Sequence, residues 1–141
     1  MRQSDWDALV AAAEEASRNA YAPHSRLRVG AALQGRSGRV HRGCNIENAS
    51  LGLTICAERV ALFRAIADGE RDVEGLAIFT SHREPLSPCG ACRQVLAEFA
   101  PDLHIVSVGR GGERADFDLA ALLPHPFGLP PGLVAEQENE N

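Results

Sequence analysis

Apolar positions along the chain alternate between two periods, and the changes of period divide it into elements. Between residues 4 and 19, Trp6, Leu9, Val10 and Ala13 recur at i, i+3, i+4 and i+7. This predicts an amphipathic surface helix with Ser4 or Asp5 as its N-cap. Tyr21-Ala22-Pro23-His24-Ser25 breaks it, and Val29 to Gln34 follows as a short apolar strand. Gly35 to Gly38, with Ser37-Gly38 as the turn signal, leads into a second strand over Val40 to Cys44. Residues 56–69 return to helical spacing, with Ala57, Val60, Ala61, Leu62 and Ala65 on one face and Gly69 at the end. Val73 to Thr80 is nearly continuously apolar, as suits a strand covered on both faces. Cys89 to Phe99 is the next helix, stopped before Pro101. Leu103 to Val108 is another buried strand, Glu113 to Phe117 a weaker one, and Leu119 to Leu123 a last helical turn.

The order α-β-β-α-β-α-β-β-α predicts an α/β fold: a three-layer α/β/α arrangement around a mixed central sheet of about five strands. Residues 1–128 form one domain in this reading. Residues 129–141 are a Pro-rich and then acidic tail whose end is expected to be disordered. No repeat at a solenoid period is present.

Composition narrows the function classes. The chain has 141 residues, 45% hydrophobic and 23% charged, enough for one domain burying about two-thirds of its unfolded surface. A net charge of -5 argues against a nucleic-acid binder, which carries a basic face. No apolar run approaches the roughly 18 residues of a membrane span, and the N-terminus has no signal-peptide core. A cytoplasmic protein is the expectation, and its four cysteines then read as metal ligands or buried thiols.

The chemistry concentrates in two stretches. Thr54-Ile55-Cys56-Ala57-Glu58-Arg59 places a thiol and, two residues on, a carboxylate at a helix start. Ser87-Pro88-Cys89-Gly90-Ala91-Cys92-Arg93 places two thiols at C-x-x-C spacing at another. Helix N-termini stabilise anions, and thiolate is the form that binds metal. A C-x-x-C pair alone is ambiguous between a redox couple, half of a structural zinc site and chance, but a redox pair leaves Cys56 unexplained. With Cys44 as fourth ligand the site would be closed and structural. With three cysteines it is an open zinc site, and Glu58 is placed to serve the open position.

Cys56-Ala57-Glu58-Arg59, Pro88-Cys89-Gly90-Ala91-Cys92-Arg93-Gln94 and Asn45-Ile46-Glu47-Asn48 together resemble the small homotetrameric cytidine deaminases, over roughly Tyr21 to Phe127. The resemblance implies one Zn2+ per chain on Cys56, Cys89 and Cys92, with Glu58 carrying protons in a hydrolytic deamination. Cytidine or deoxycytidine would yield the uracil nucleoside and ammonia, a step of pyrimidine salvage. It implies that Asn45 and Glu47 bind the ribose 3′-hydroxyl and that the Ala57 backbone reads the base. Phe127 would stack on the base in a neighbouring subunit of a homotetramer. Arg59 would hydrogen-bond the thiolates and offset their charge. For Arg93 the same role and a plain surface position remain equally open.

Two aromatic positions depart from the family pattern. Leu27 stands where the family has Phe, followed by Arg28 for Pro, and Leu51 where it has Tyr. In the family both aromatics line the nucleoside site, so a modified cytosine nucleoside, of the blasticidin S type among others, is the alternative substrate. From another class, a zinc-stabilised binding module without catalysis would have no need of Glu58.

Overall fold

The computed structural model describes residues 1–133. The acidic end of the tail, for which disorder is expected, lies outside the described residues. Five strands form one mixed sheet in the order β2-β1-β3-β4-β5. They are β1 (Val29–Gly35), β2 (Val40–Cys44), β3 (Val73–Thr80), β4 (His104–Gly109) and β5 (Arg114–Asp118). Only β3 and β4 are parallel, and α3 (Gly90–Phe99) crosses between them; the other neighbours are antiparallel. The remaining helices are α1 (Gln3–Ser17), α2 (Ala57–Ala67) and the single turn α4 (Leu119–Leu122).

Strand alternation sorts the core into two halves. Ala32, Ala77 and Val106 face α1, where Trp6, Leu9, Ala12 and Ala13 cover them. Ala31, Leu33, Leu76, Ile78 and Ile105 face the opposite way, onto Ala57, Ala61, Leu62 and Ala65 of α2, Leu96 of α3 and Leu119 of α4. The three-layer α/β/α architecture with a five-stranded mixed sheet is therefore as the periodicity predicts. β3, buried on both faces along Gly75–Ile78, is its central strand.

Two local expectations are corrected, and one element is added. Neither Ser4 nor Asp5 is the N-cap of α1. The helix starts at Gln3, and the Asp5 carboxylate reaches back from inside its first turn to accept the Arg2 backbone N–H at 2.8 Å. Val60 lies off the buried face of α2, half-exposed beside exposed Phe63. Leu51–Leu53 forms a single 3-10 turn that no apolar period signals.

Gly43 sets the distance between the sheet and α2. A Cβ there would sit 2.4 Å from the Ala61 nitrogen and 2.5 Å from the Ala57 oxygen, both backbone atoms of the helix that carries Glu58. Gly43→Ala is expected to cost about 1–3 kcal/mol by overpacking, seen as a melting temperature lower by several degrees. Gly52→Ala, with nothing within 4 Å of the added carbon, serves as the near-neutral control. Equal melting temperatures for the two variants would mean that α2 is not seated on Gly43.

Candidate active site

The residues before each helix bring the thiols together. Cys56 and Cys89 are the N-caps of α2 and α3, both in extended conformation. The segment leading to Cys56 is tied by reciprocal backbone bonds between Ile46 and Ile55, each 3.0 Å. The loop leading to Cys89 is fixed by the Leu86 N–H, which the Ser107 hydroxyl of β4 accepts at 3.2 Å. The two N-termini converge over the sheet end where the parallel pair finishes, and Cys92 joins them from the first turn of α3.

The sulfurs of Cys56, Cys89 and Cys92 all lie within 4.8 Å of one another, and those of Cys56 and Cys89 are 3.7 Å apart. Tetrahedral zinc with Zn–S bonds near 2.3 Å needs sulfurs about 3.8 Å apart, so the donor set and its spacing fit zinc. Among the described residues no other group of three such side chains is as close, and Cys44 is outside it. The closed four-cysteine reading therefore fails, and Cys44 is a half-buried thiol whose pKa burial raises.

The thiols compete for protons. A hydrogen bond from Cys92, then bonds from Arg59 and Cys89, bring Cys56 down to about 5. The bond to Cys56 and burial push Cys92 up. A metal held by these sulfurs would end this competition, since it would take the place of the thiol protons. Arg59 Nη2 is 3.5 Å from Cys56 Sγ, and its buried Nε finds no acceptor among the described residues. Three thiolates would outweigh the two charges of a zinc ion by one, and the Arg59 guanidinium is placed to offset the excess.

Arg93 does not do the same. Its Nε donates to the Pro88 carbonyl at 2.7 Å, Nη1 to the Leu122 carbonyl at 3.2 Å and Nη2 to the Ser87 hydroxyl at 3.3 Å. It braces the metal loop from behind.

Glu58, in the first turn of α2, is 6% exposed. Burial raises its pKa, and its Oε2 accepts from Cys92 Sγ at 3.5 Å. A carboxyl so placed, its pKa raised by burial, is suited to take up a proton and pass it on.

A cavity of about 210 Å³ opens from this cluster, lined by Cys56, Ala57, Glu58 and Cys89 on one side. Leu27, Asn45, Glu47 and Ser25 line the other. Asn45 is buried and half spent: Oδ1 accepts the Val29 N–H at 2.9 Å, and Nδ2 donates to the Leu27 carbonyl at 2.7 Å. One N–H and one lone pair remain. Glu47 Oε1 accepts the backbone N–H groups of His24 at 2.8 Å and Ser25 at 3.0 Å, while Oε2 accepts the Ser25 hydroxyl. The Ser25 bonds lead in holding its pKa below the usual carboxylate range.

Ser25, Thr54, Leu86 and Ser87 also line the cavity. No sequence pattern singles them out, although Ser25 sits in the turn after Pro23, where serine hydroxyls commonly bond nearby groups. Leu51 and Phe127 do not line it. Leu51 is 71% exposed on the 3-10 turn, and Phe127 is 73% exposed on the chain after α4. Neither reaches the cavity of its own chain.

Comparison with known proteins agrees with this geometry. The chain is 47% identical to the cytidine deaminase of Halalkalibacterium halodurans over 124 residues, 87% of this chain and 94% of that one. It is 40% identical to the Mycobacterium tuberculosis cytidine deaminase over 129 residues, 92% of this chain and 94% of the relative. The crystal structure of the Burkholderia pseudomallei cytidine deaminase superposes with a TM-score of 0.84 at 44% identity, covering 90% of this chain and all of that one. The family model for the cytidine and deoxycytidylate deaminase zinc-binding region matches residues 3–108, a span that includes the three clustered cysteines and Glu58. The chain belongs to the zinc-dependent cytidine and deoxycytidylate deaminase family.

Proposed function

We propose that this enzyme converts cytidine and deoxycytidine, with water, to uridine and deoxyuridine with release of ammonia. The observation that carries the reading is Glu58: a buried carboxyl beside three clustered sulfurs, on the wall of a cavity that also presents Asn45 and Glu47. Zinc held by Cys56, Cys89 and Cys92 supplies the Lewis acidity that makes water a nucleophile near neutral pH. Glu58 takes the proton this water gives up and delivers it to the ring nitrogen next to the amino-bearing carbon. It then carries the second proton to the amine as that group departs. The Ala57 backbone, on the cavity wall at the start of α2, reads the base. Asn45 and Glu47 use their remaining hydrogen-bonding capacity on a ribose hydroxyl, which both donates and accepts. Ser25 holds Glu47 ionised for that purpose.

The assembly is a homotetramer in which Phe127 completes the pocket of a neighbouring copy. Two features support this: the exposed Phe127 ring, and an apolar groove of about 420 Å³ lined by Ile46, Leu53, Ile55, Val60, Phe63 and Ala67. Exposed Leu51 adjoins that groove in sequence and belongs to the same contact. Four free thiols fit the reducing cytoplasm, and among the described residues no helix is long and apolar enough to cross a membrane. Pyrimidine salvage is the corresponding role.

An ultraviolet assay with cytidine, deoxycytidine, deoxycytidylate and cytosine, with ammonia measured in parallel, tests the substrate. Turnover of the two nucleosides well above the nucleotide and the free base is expected. Turnover of deoxycytidylate alone would replace the reading. Leu27 favours a second, wider substrate range, because it lines the cavity where an aromatic ring would otherwise fill space. Leu27→Phe should lower KM for cytidine about two- to tenfold, the value of one aromatic contact. It should also exclude cytosine nucleosides with bulky substituents. Unchanged kinetics on both substrate types would make Leu27 a substitution without consequence for selection.

A further inference from the structure

Gln94 follows Cys92 by two residues and has no part in the metal cluster or the cavity. Its side-chain amide pairs reciprocally with one peptide unit far along the chain. Nε2 donates to the Phe127 carbonyl at 3.0 Å, and Oε1 accepts the Phe127 N–H at 3.1 Å. Two antiparallel bonds of this kind fix both the position and the direction of the Phe127 backbone, and so the line along which its ring leaves the chain. The ring itself is 73% exposed, on an irregular stretch between Pro126 and Gly128. One residue before Gln94, Arg93 joins the Leu122 carbonyl to the Pro88 carbonyl of the metal loop. Adjacent side chains near the start of α3 thus hold both ends of the segment from Leu122 to Phe127, and the first turn of that helix also carries Cys92.

We infer that Gln94 is a positioning residue that sets the direction of the Phe127 ring, with Arg93 anchoring the other end of the segment to the metal loop. The inference rests on the reading of Phe127 as part of a neighbouring subunit's pocket. A glutamine that only stabilised the chain end would lower the melting temperature and leave substrate binding alone. A positioning glutamine raises KM at nearly constant kcat, because the ring it aims contacts bound substrate and not the atoms exchanging protons.

The test combines hydrogen exchange, read by mass spectrometry on the zinc-loaded protein, with steady-state kinetics on cytidine for Gln94→Leu, Gln94→Glu and Phe127→Leu. Gln94→Leu keeps volume and helix propensity and loses both bonds. Exchange in peptides spanning residues 122–128 should rise at least about tenfold, while β1 and β3 stay protected. KM should rise about two- to tenfold. Gln94→Glu keeps the acceptor and loses the donor, so it should fall between Gln94→Leu and the parent. Phe127→Leu should raise KM equally without loosening the segment, and Gln94→Leu/Phe127→Leu should be no worse than Phe127→Leu alone. Unchanged exchange in Gln94→Leu overturns the inference. So does faster exchange with unchanged KM where Phe127→Leu does raise KM. If Phe127→Leu leaves KM untouched, the shared-pocket reading fails instead, and the exchange data still decide whether Gln94 holds the segment.

Discussion

Glu58→Gln is expected to bind zinc at about one ion per chain and to lose at least ~10²-fold in kcat, the scale of a general acid–base group. Gln keeps the shape of the side chain, so the Cys92 thiol and the wall of the cavity stay in place. It removes the buried carboxyl that lines the cavity and accepts a hydrogen bond from Cys92. The sign of the stability effect is a second check. Burial raises the folded-state pKa of Glu58, so ionising it disfavours the fold progressively as pH rises from the unfolded value towards the folded one. A neutral amide escapes that penalty, and the metal-free variant should melt at or above the parent near neutral pH. Loss of turnover therefore cannot be attributed to loss of fold. Near-normal kcat with zinc bound would mean that another group carries the proton.

The cysteine series should divide three against one. Cys56→Ala, Cys89→Ala and Cys92→Ala each remove a sulfur from the cluster and should weaken zinc by more than the 10- to 100-fold typical of a change one shell further out, roughly 100-fold or beyond. Activity should fall with the metal. Cys44→Ala should keep both, because that thiol lies outside the group of three. Zinc content by atomic absorption, measured beside turnover, reads both quantities. Zinc loss in Cys44→Ala would restore a closed four-sulfur site and contradict the catalytic reading.

The strands and the metal cluster were legible in the sequence for physical reasons. β2 and β3 match their expected bounds because each is framed by turn residues, and β3 carries the short, nearly continuous apolar run of a strand covered on both faces. The thiols were legible because Cys56 and Cys89 each immediately precede a helix, and helix starts cluster where strands end. Arg59 is an expectation of the family resemblance, and the helix supplies its physical reason: three residues beyond Cys56, it returns to the same side of α2. Adjacency leaves Arg93 open, since one helical step from Cys92 turns a side chain by about 100°; its guanidinium bonds Pro88 and Leu122 instead. Periodicity places Val60 on the core face of α2 because that helix is apolar on more than one side. Periodicity cannot tell which of two apolar faces meets the sheet and which awaits another partner. Leu27 and Leu51 look equivalent as departures from a family pattern. Leu27 lines the cavity because it leads directly into β1, whereas Leu51 sits on a turn that points away from it. Gln94 could not be read at all, because its partner is a backbone unit 33 residues away.

The central claim is that three thiolates hold zinc and leave one position open beside Glu58. X-ray absorption at the zinc edge of the purified, metal-loaded protein tests it most directly. The account predicts about three sulfur scatterers per zinc near 2.3 Å and one lighter scatterer near 2.0 Å. Four sulfurs, with no lighter neighbour, would contradict it.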